Sequence, residues 1–263
     1  MSVLTERLSV QKKMGRKGLI IYLTAGYPDM DTTLAAVLAA AEAGADIIEI
    51  GIPFSDPIAD GPVIQKAATL ALNRGATTAQ ALDLIRRIRA KTAVPLAAMT
   101  YTNTILHYGP EAFMNDFGAA GINGVIVPDL PLEETDLLAD VCRKASIDLI
   151  QFIAPTSTAE RIAAISKQAS GFLYCISTTG VTGVQALDYK PIAVAIEAAR
   201  KTTNVPVAIG FGIGSPAAAR QAAKYADAVI VGSAVVDRLG SQGVNGVRDL
   251  VGAMREELDR EGC

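Results

Sequence analysis

The sequence predicts a (β/α)8 barrel on three observations. Eight short β-branched-rich runs recur along the chain, most are unbroken apolar stretches, and helical patterns lie between them. Unbroken apolar runs mark strands buried on both faces, as in parallel sheets covered by helices. A length of 263 residues is close to typical for eight such units and suits one barrel domain over 1–263. A doubly wound open sheet shares the alternation, which alone does not show closure.

The strand runs are "GLIIYL" (18–23), "ADIIEI" (45–50), "VPLAAMT" (94–100), "NGVIVPD" (123–129), "IDLIQFI" (147–153), "GFLYCIS" (171–177), "VPVAIG" (205–210) and "DAVIVG" (227–232). Before the first, "MSVLTERLSVQKKMGRKG" reads as an extra amphipathic helix with Leu4, Leu8 and Val10 on one side. "DTTLAAVLAAAEAG" takes Asp31 as its N-cap and places Leu34, Val37, Leu38 and Ala41 on one face. "TTAQALDLIRRIRAKT", "LEETDLLADVCRKA", "STAERIAAISKQA" and "SPAAARQAAKYA" are patterned alike, and residues 246–260 close the chain. Two connections are long: 51–93, with two helical patterns, and 178–190. Long connections in compact domains are commonly lids or binding loops, and both follow strands, on the catalytic face of a barrel.

Composition narrows the function. Half the residues are hydrophobic, only 5% are aromatic and Trp is absent, so the core comes from Ile, Leu, Val and Ala. A net charge of −3 and a pI near 5.3 give no basic footprint for nucleic acid. No apolar run approaches a membrane span, and the N-terminus has neither the apolar core nor the cleavage site of a secretory signal. Cys142, Cys175 and Cys263 form neither a CxxC pair nor a disulfide framework. These features fit a reducing cytoplasm.

Glu49 is the unexpected residue. It stands inside an apolar strand, where a carboxylate costs several kcal/mol unless satisfied or used. Strand alternation puts Ile47 and Glu49 on one face and Ile48 and Ile50 on the other. The aliphatic pair packs against helices, so Glu49 points into the barrel mouth, where desolvation raises its pKa and fits it for proton transfer. A Glu held by a neighbouring cation or amide is the structural alternative. Asp60 lies on the loop fed by the same strand and suits either a catalyst or an N-cap ahead of "GPVIQKAATLAL"; Asp56 could equally be a turn residue.

"AIGFGIGSP" (208–216) and "IVGSAVVDRL" (230–239) end the seventh and eighth strands. Their glycines admit an anion to the backbone, and "SAVVDRL" forms a short helix whose N-terminus faces it, as in the phosphate site shared by many barrels. Alternatively, the glycines only make tight turns. His107 is the sole histidine, so a His-rich metal site is impossible and a Ser-His-Asp triad is disfavoured; we place it on a polar loop or interface. No lysine stands in or at the end of a strand, which disfavours a Schiff base. What remains is carboxylate acid/base catalysis on a small phosphate ester, without metal.

"IEIGIPFSDPIADGPVIQ" resembles the hallmark segment of the tryptophan synthase α subunit family. "YLTAGYPD", "MTYTNTILHYG", "GVIVPDLPLEE", "YCISTTGVTG", "AIGFGI" and "IVGSAVV" follow in the family's order, so the resemblance spans essentially the whole chain. It departs before Gly180, where Ser-Thr-Thr stands in place of a run such as Ser-Arg-Ala, and at Tyr22, where many members carry Phe.

The resemblance implies a (β/α)8 barrel cleaving indole-3-glycerol phosphate to indole and glyceraldehyde 3-phosphate, in an α2β2 heterotetramer with a β subunit. Pyridoxal phosphate is expected only in that partner, with no cofactor in this chain. The resemblance makes Glu49 and Asp60 catalytic, with Thr182 of the lid meeting Asp60. Tyr22, Tyr101 and Tyr174 would line the substrate pocket; Gly183, Gly212, Gly232 and Ser233 would bind phosphate beside Phe211. Pro53, Phe54, Asp56, Asn103 and Asp129 would meet the partner. The alternatives are another phosphate-binding barrel enzyme of the pathway and a non-catalytic activating subunit.

Overall fold

All eight apolar runs become strands, and the last pairs with the first. The computed structural model describes residues 2–176, 189–210 and 212–260. The strands are β1 (Gly18–Thr24), β2 (Ile47–Gly51), β3 (Leu96–Met99), β4 (Gly124–Ile126), β5 (Asp148–Ile153), β6 (Leu173–Ile176), β7 (Val207–Gly210) and β8 (Ala228–Val231). They pair in parallel, in sequence order, and β8 hydrogen-bonds to β1, so the sheet is a closed barrel and not an open one.

Helices cover it: α1 (Val3–Lys13), α2 (Met30–Glu42), α3 (Pro62–Asn73), α4 (Thr78–Arg89), α5 (Thr102–Tyr108), α6 (Pro110–Ala119), α7 (Asp136–Lys144), α8 (Ala159–Gln168), α9 (Tyr189–Arg200), α10 (Pro216–Ala223) and α11 (Ser233–Asp259). Alternation along the strands sorts the core into two parts. Leu19, Ile21, Ile48, Ile50 and Val125 pack outward against the helices, whereas Ile20, Ile47, Ala97, Ile126, Ile150, Ala228 and Ile230 fill the barrel.

The floor of the barrel is closed by α1. Leu4 and Leu8 are fully buried within the inner cluster. They enter because two strand positions lack side chains: a Cβ at Gly18 would lie 2.5 Å from Leu8 Cδ2, and one at Gly124 would lie 2.6 Å from Leu4 Cδ1. Burying each leucine is worth about 1.5–3 kcal/mol. Beside this plug, the carboxylate of buried Asp46 accepts from Leu19 N–H (2.9 Å), Gln11 Nε2 (2.7 Å), Arg7 Nε (3.0 Å) and Arg255 Nη1 (3.2 Å). This network ties α1, β1 and α11 together at the end of the barrel opposite the strands' C-termini.

Some sequence expectations are corrected. The N-cap of α2 is Asp29, which accepts from Thr32 N–H; Asp31 lies in the first turn. Val10 is 41% exposed, and Gln11 takes the third buried place on α1. His107 belongs to a helix, α5, and not to a loop. Helices α5, α6 and α9 went unread, although Phe113, Met114 and Phe117 give α6 a buried face. The expected short helix after the eighth strand is the first part of α11, which non-helical Gly243 (φ 67°) breaks from the remainder.

Candidate active site

Glu49 sits at the mouth end of β2, flanked in register by Tyr22 of β1 and Ala97 of β3. It is 2% exposed, and its Oε1 has no hydrogen-bond partner among the described residues. Burial alone pushes its carboxyl up to about 8, since no opposite charge or donor favours the anion. Among the described residues, therefore, no cation or amide holds Glu49 as the structural alternative requires.

Asp60 follows on the loop after β2, and the cap reading is excluded. The N-cap of α3 is Gly61, without a side-chain capping bond. The Asp60 carboxylate instead accepts from Tyr101 Oη at 3.1 Å. Burial raises its pKa to about 6, partly offset by that bond. Both carboxylates act on the Tyr22 phenol, whose pKa is raised by burial first, then by the charge of Asp60 and more weakly of Glu49.

Two tyrosines line the interior over glycines. The Tyr22 ring crosses Gly51, where a Cβ would be 2.5 Å from Tyr22 Cζ. Tyr174 likewise crosses Gly210 of the adjacent β7, where a Cβ would be 2.5 Å from its Cζ. Tyr22 Oη accepts from Thr24 Oγ1 at 3.3 Å. Burial, with Glu49 and Asp60 nearby, keeps the Tyr174 phenol protonated. Above Tyr22 pack Ala67 of α3 and Val236 of α11, with Ile64 and Met99 at the edge.

Gly232 adjoins this cluster: a Cβ there would meet Ile64 Cδ1 at 3.4 Å and Tyr22 Cβ at 3.5 Å. It is the N-cap of α11 and lends no side chain to the helix amides, with Ser233 next to it. Gly212 has φ 75°, a conformation natural to glycine, and is exposed. Thr182, Gly183 and Phe211 lie outside the described residues. Phe152, whose ring centroid is 4.9 Å from that of Tyr174, was missed by the sequence reading. Alternation from Ile150 would have found it.

On the rim, Asp56 and Asn103 are exposed, while Pro53 and Phe54 are half-buried. Phe54 stacks on Tyr101 (5.1 Å, 24°). Asp129 has internal duties: its carboxylate accepts from Thr102 N–H (2.9 Å) and Thr102 Oγ1 (3.1 Å), securing the start of α5. Among the described residues no three His, Cys, Asp or Glu side chains group to hold a metal, and no helix is long and apolar enough to cross a membrane.

A closed parallel barrel with two desolvated carboxylates at the C-terminal ends of its strands has the layout of a barrel enzyme, whose active site lies on that face. The family model described as "Tryptophan synthase alpha chain" matches residues 8–258. A tryptophan synthase alpha chain of Synechococcus elongatus is 48% identical over 262 residues, covering 99% of this chain and 98% of its own. That of Caldanaerobacter subterraneus is 43% identical over 264 residues, at 98% and 100% coverage. Among solved structures, a chain of Mycobacterium tuberculosis tryptophan synthase superposes with a TM-score of 0.91 at 37% identity, covering 98% of each. The chain belongs to the tryptophan synthase alpha chain family.

Proposed function

We propose that this chain is the lyase subunit that cleaves indole-3-glycerol phosphate to indole and glyceraldehyde 3-phosphate in tryptophan biosynthesis, passing indole to a β subunit. The observation that carries this reading is Glu49: a buried carboxyl at a barrel mouth, protonated to about pH 8 and with its Oε1 unpaired among the described residues, is suited to give and retake a proton.

The bond to be broken joins indole C3 to the hydroxyl-bearing carbon of the side chain. Indole becomes a leaving group once C3 is protonated, and Glu49 supplies that proton. The resulting carboxylate then takes the proton of the side-chain hydroxyl. Its O–H electrons form the aldehyde C=O, and the electrons of the cleaved C–C bond return to the ring. Asp60, anionic above about pH 6, accepts a hydrogen bond from the indole N–H and stabilises the cation as it forms. Tyr22, Tyr101 and Tyr174 form the wall around the substrate, and the family resemblance assigns Thr182, outside the described residues, to Asp60. The backbone at Gly212, Gly232 and Ser233 takes the phosphate, a role the family resemblance extends to Gly183 and Phe211 outside the described residues.

Pyridoxal phosphate belongs, on this reading, to the β subunit, and the assembly works in the cytoplasm as an α2β2 tetramer. Exposed Asp56 and Asn103 with half-buried Pro53 and Phe54 suit the partner-facing rim, to which Asp129 contributes through the loop it anchors. The test is indole release from indole-3-glycerol phosphate, with and without a β subunit, by wild type and Glu49→Gln. Wild-type release by Glu49→Gln would remove Glu49 from the chemistry. No release by wild type, together with stimulation of the β subunit, would favour an activating subunit.

A further inference from the structure

We propose that Tyr101 is the positioning residue for Asp60: its hydroxyl clamps the end of the 52–60 loop and fixes the carboxylate in place. This extends the reading of Asp60 given above. Tyr101 is buried at the junction of β3 and α5, two residues past the end of the strand that pairs directly with the one bearing Glu49. Its hydroxyl accepts from Ala59 N–H at 3.1 Å and donates to Asp60 Oδ2 at 3.1 Å. One oxygen thus binds two consecutive residues of the loop, one through the backbone and one through the side chain.

The rest of the loop leaves that role to Tyr101. Asp60 N–H is used by Pro57 O (3.0 Å), and Asp60 O accepts from Gln65 Nε2 (2.9 Å). These bonds hold the main chain, and among the described residues Tyr101 is the donor on the carboxylate. Phe54, stacked on the Tyr101 ring, anchors the start of the same loop to the same side chain. Burial and the neighbouring Asp60 charge both raise the Tyr101 phenol above its ordinary value, so it remains a donor throughout the working range. A donor to a carboxylate favours the ionised form, against burial. Tyr101 thereby acts through Asp60 and takes no part in proton transfer.

The test compares Tyr101→Phe, Asp60→Asn and the double variant, each in complex with a β subunit, by the pH dependence of indole release. Tyr101→Phe keeps the ring and its stack on Phe54 and removes only the hydroxyl. We expect kcat to fall on the order of tenfold to a hundredfold, as for a displaced catalytic group. The acid limb should move up by about one pH unit as the ionised form loses its donor. In the Asp60→Asn background the same change should cost nothing further. A purely packing role would leave the acid limb where it is, and that result, or an additive loss in the double variant, would overturn the proposal.

The outcomes separate the two readings. A wild-type rate for Asp60→Asn removes Asp60 from catalysis and this inference with it. An inactive Asp60→Asn beside a wild-type Tyr101→Phe overturns the role of Tyr101 alone. Should Tyr101→Phe fail to fold, 3-fluorotyrosine at position 101 keeps the hydroxyl and makes it a stronger donor. The acid limb should then move down, and an unmoved limb would again overturn the proposal.

Discussion

The ring of Tyr22 lies directly across Gly51, one strand away, so closely that a single added carbon at position 51 would stand 2.5 Å from Tyr22 Cζ. The two residues are not in register; Tyr22 pairs with Glu49 and leans over the next inward position of β2. The absent side chain at 51 therefore lets a large aromatic close the wall beside Glu49. Gly51→Ala should displace the ring, costing about 1–3 kcal/mol through overpacking. Indole release should fall at least tenfold, on the order expected when active-site geometry is disturbed. Adding Tyr22→Leu should recover the stability in urea unfolding. If Gly51→Ala alone matched wild type in both assays, the close approach would be wrong.

Glu49→Gln isolates the acid from its shape. The amide is isosteric and neutral, so the barrel stays intact while general acid/base catalysis, worth about 10²–10⁴-fold, is lost. Its stability should change in a specific direction. The Glu49 pKa is raised in the folded chain, about 8 against an ordinary 4.5. Between those values the folded form holds a proton that the unfolded chain has released, so stability declines as pH rises through this window. Glu49→Gln removes the decline and should be more stable than wild type near pH 7, by on the order of 3 kcal/mol. Urea unfolding at pH 5 and pH 8 checks this, with the gain at pH 8 and little at pH 5. Equal gains at both would show that burial of the charge is not the cause.

The same two groups set the working pH. Asp60 serves as an anion and loses that form as pH falls through about 6; Glu49 serves as an acid and loses its proton as pH rises through about 8. The profile of kcat/KM should be a bell between these limits, whose flanks belong to the pair as macroscopic values. In Asp60→Asn the acid flank should disappear from the residual activity while the alkaline flank stays. A profile flat from pH 5 to pH 9 would separate both carboxylates from the rate.

The legibility of this molecule followed the range of the interactions involved. Strand identity and the inward aim of Glu49 depend on alternation over a few residues, and both were readable. Asp60 was not, because "SDPIADGP" fits a helix cap as well as a catalyst, and only the path of the loop to Tyr101 separates them. Helices α5 and α6 escaped because Gly109 and Pro110 divide the segment into pieces too short to show a period. The glycines at 18 and 124 had no local meaning; their use appears only when Leu4 and Leu8, far away or at the chain's start, occupy the space. Asp46, at the start of the run "ADIIEI", likewise has no local meaning until Arg255, 209 positions later, arrives beside it.

That last pair gives a prediction about stability apart from chemistry. Asp46 is 1% exposed and meets Arg255, itself 7% exposed, together with Gln11 and the Leu19 amide. Arg7 also reaches Asp46, but its side chain is 43% exposed and contributes less through solvent screening. Asp46→Ala leaves buried Arg255 with Asp259 (2.6 Å) as its remaining carboxylate and strips the Leu19 amide and Gln11 of their acceptor, at a cost of about 1–3 kcal/mol for each buried group left unsatisfied. Asp46→Ala should therefore shift the urea midpoint strongly downward. The network lies at the floor of the barrel while Glu49 and Asp60 lie at its mouth, so the folded fraction should retain the wild-type rate of indole release at low temperature. An Asp46→Ala variant that is fully stable would show the pair to be energetically neutral. One that is stable but slow would couple the floor to the mouth, which the separation of these two sites does not predict.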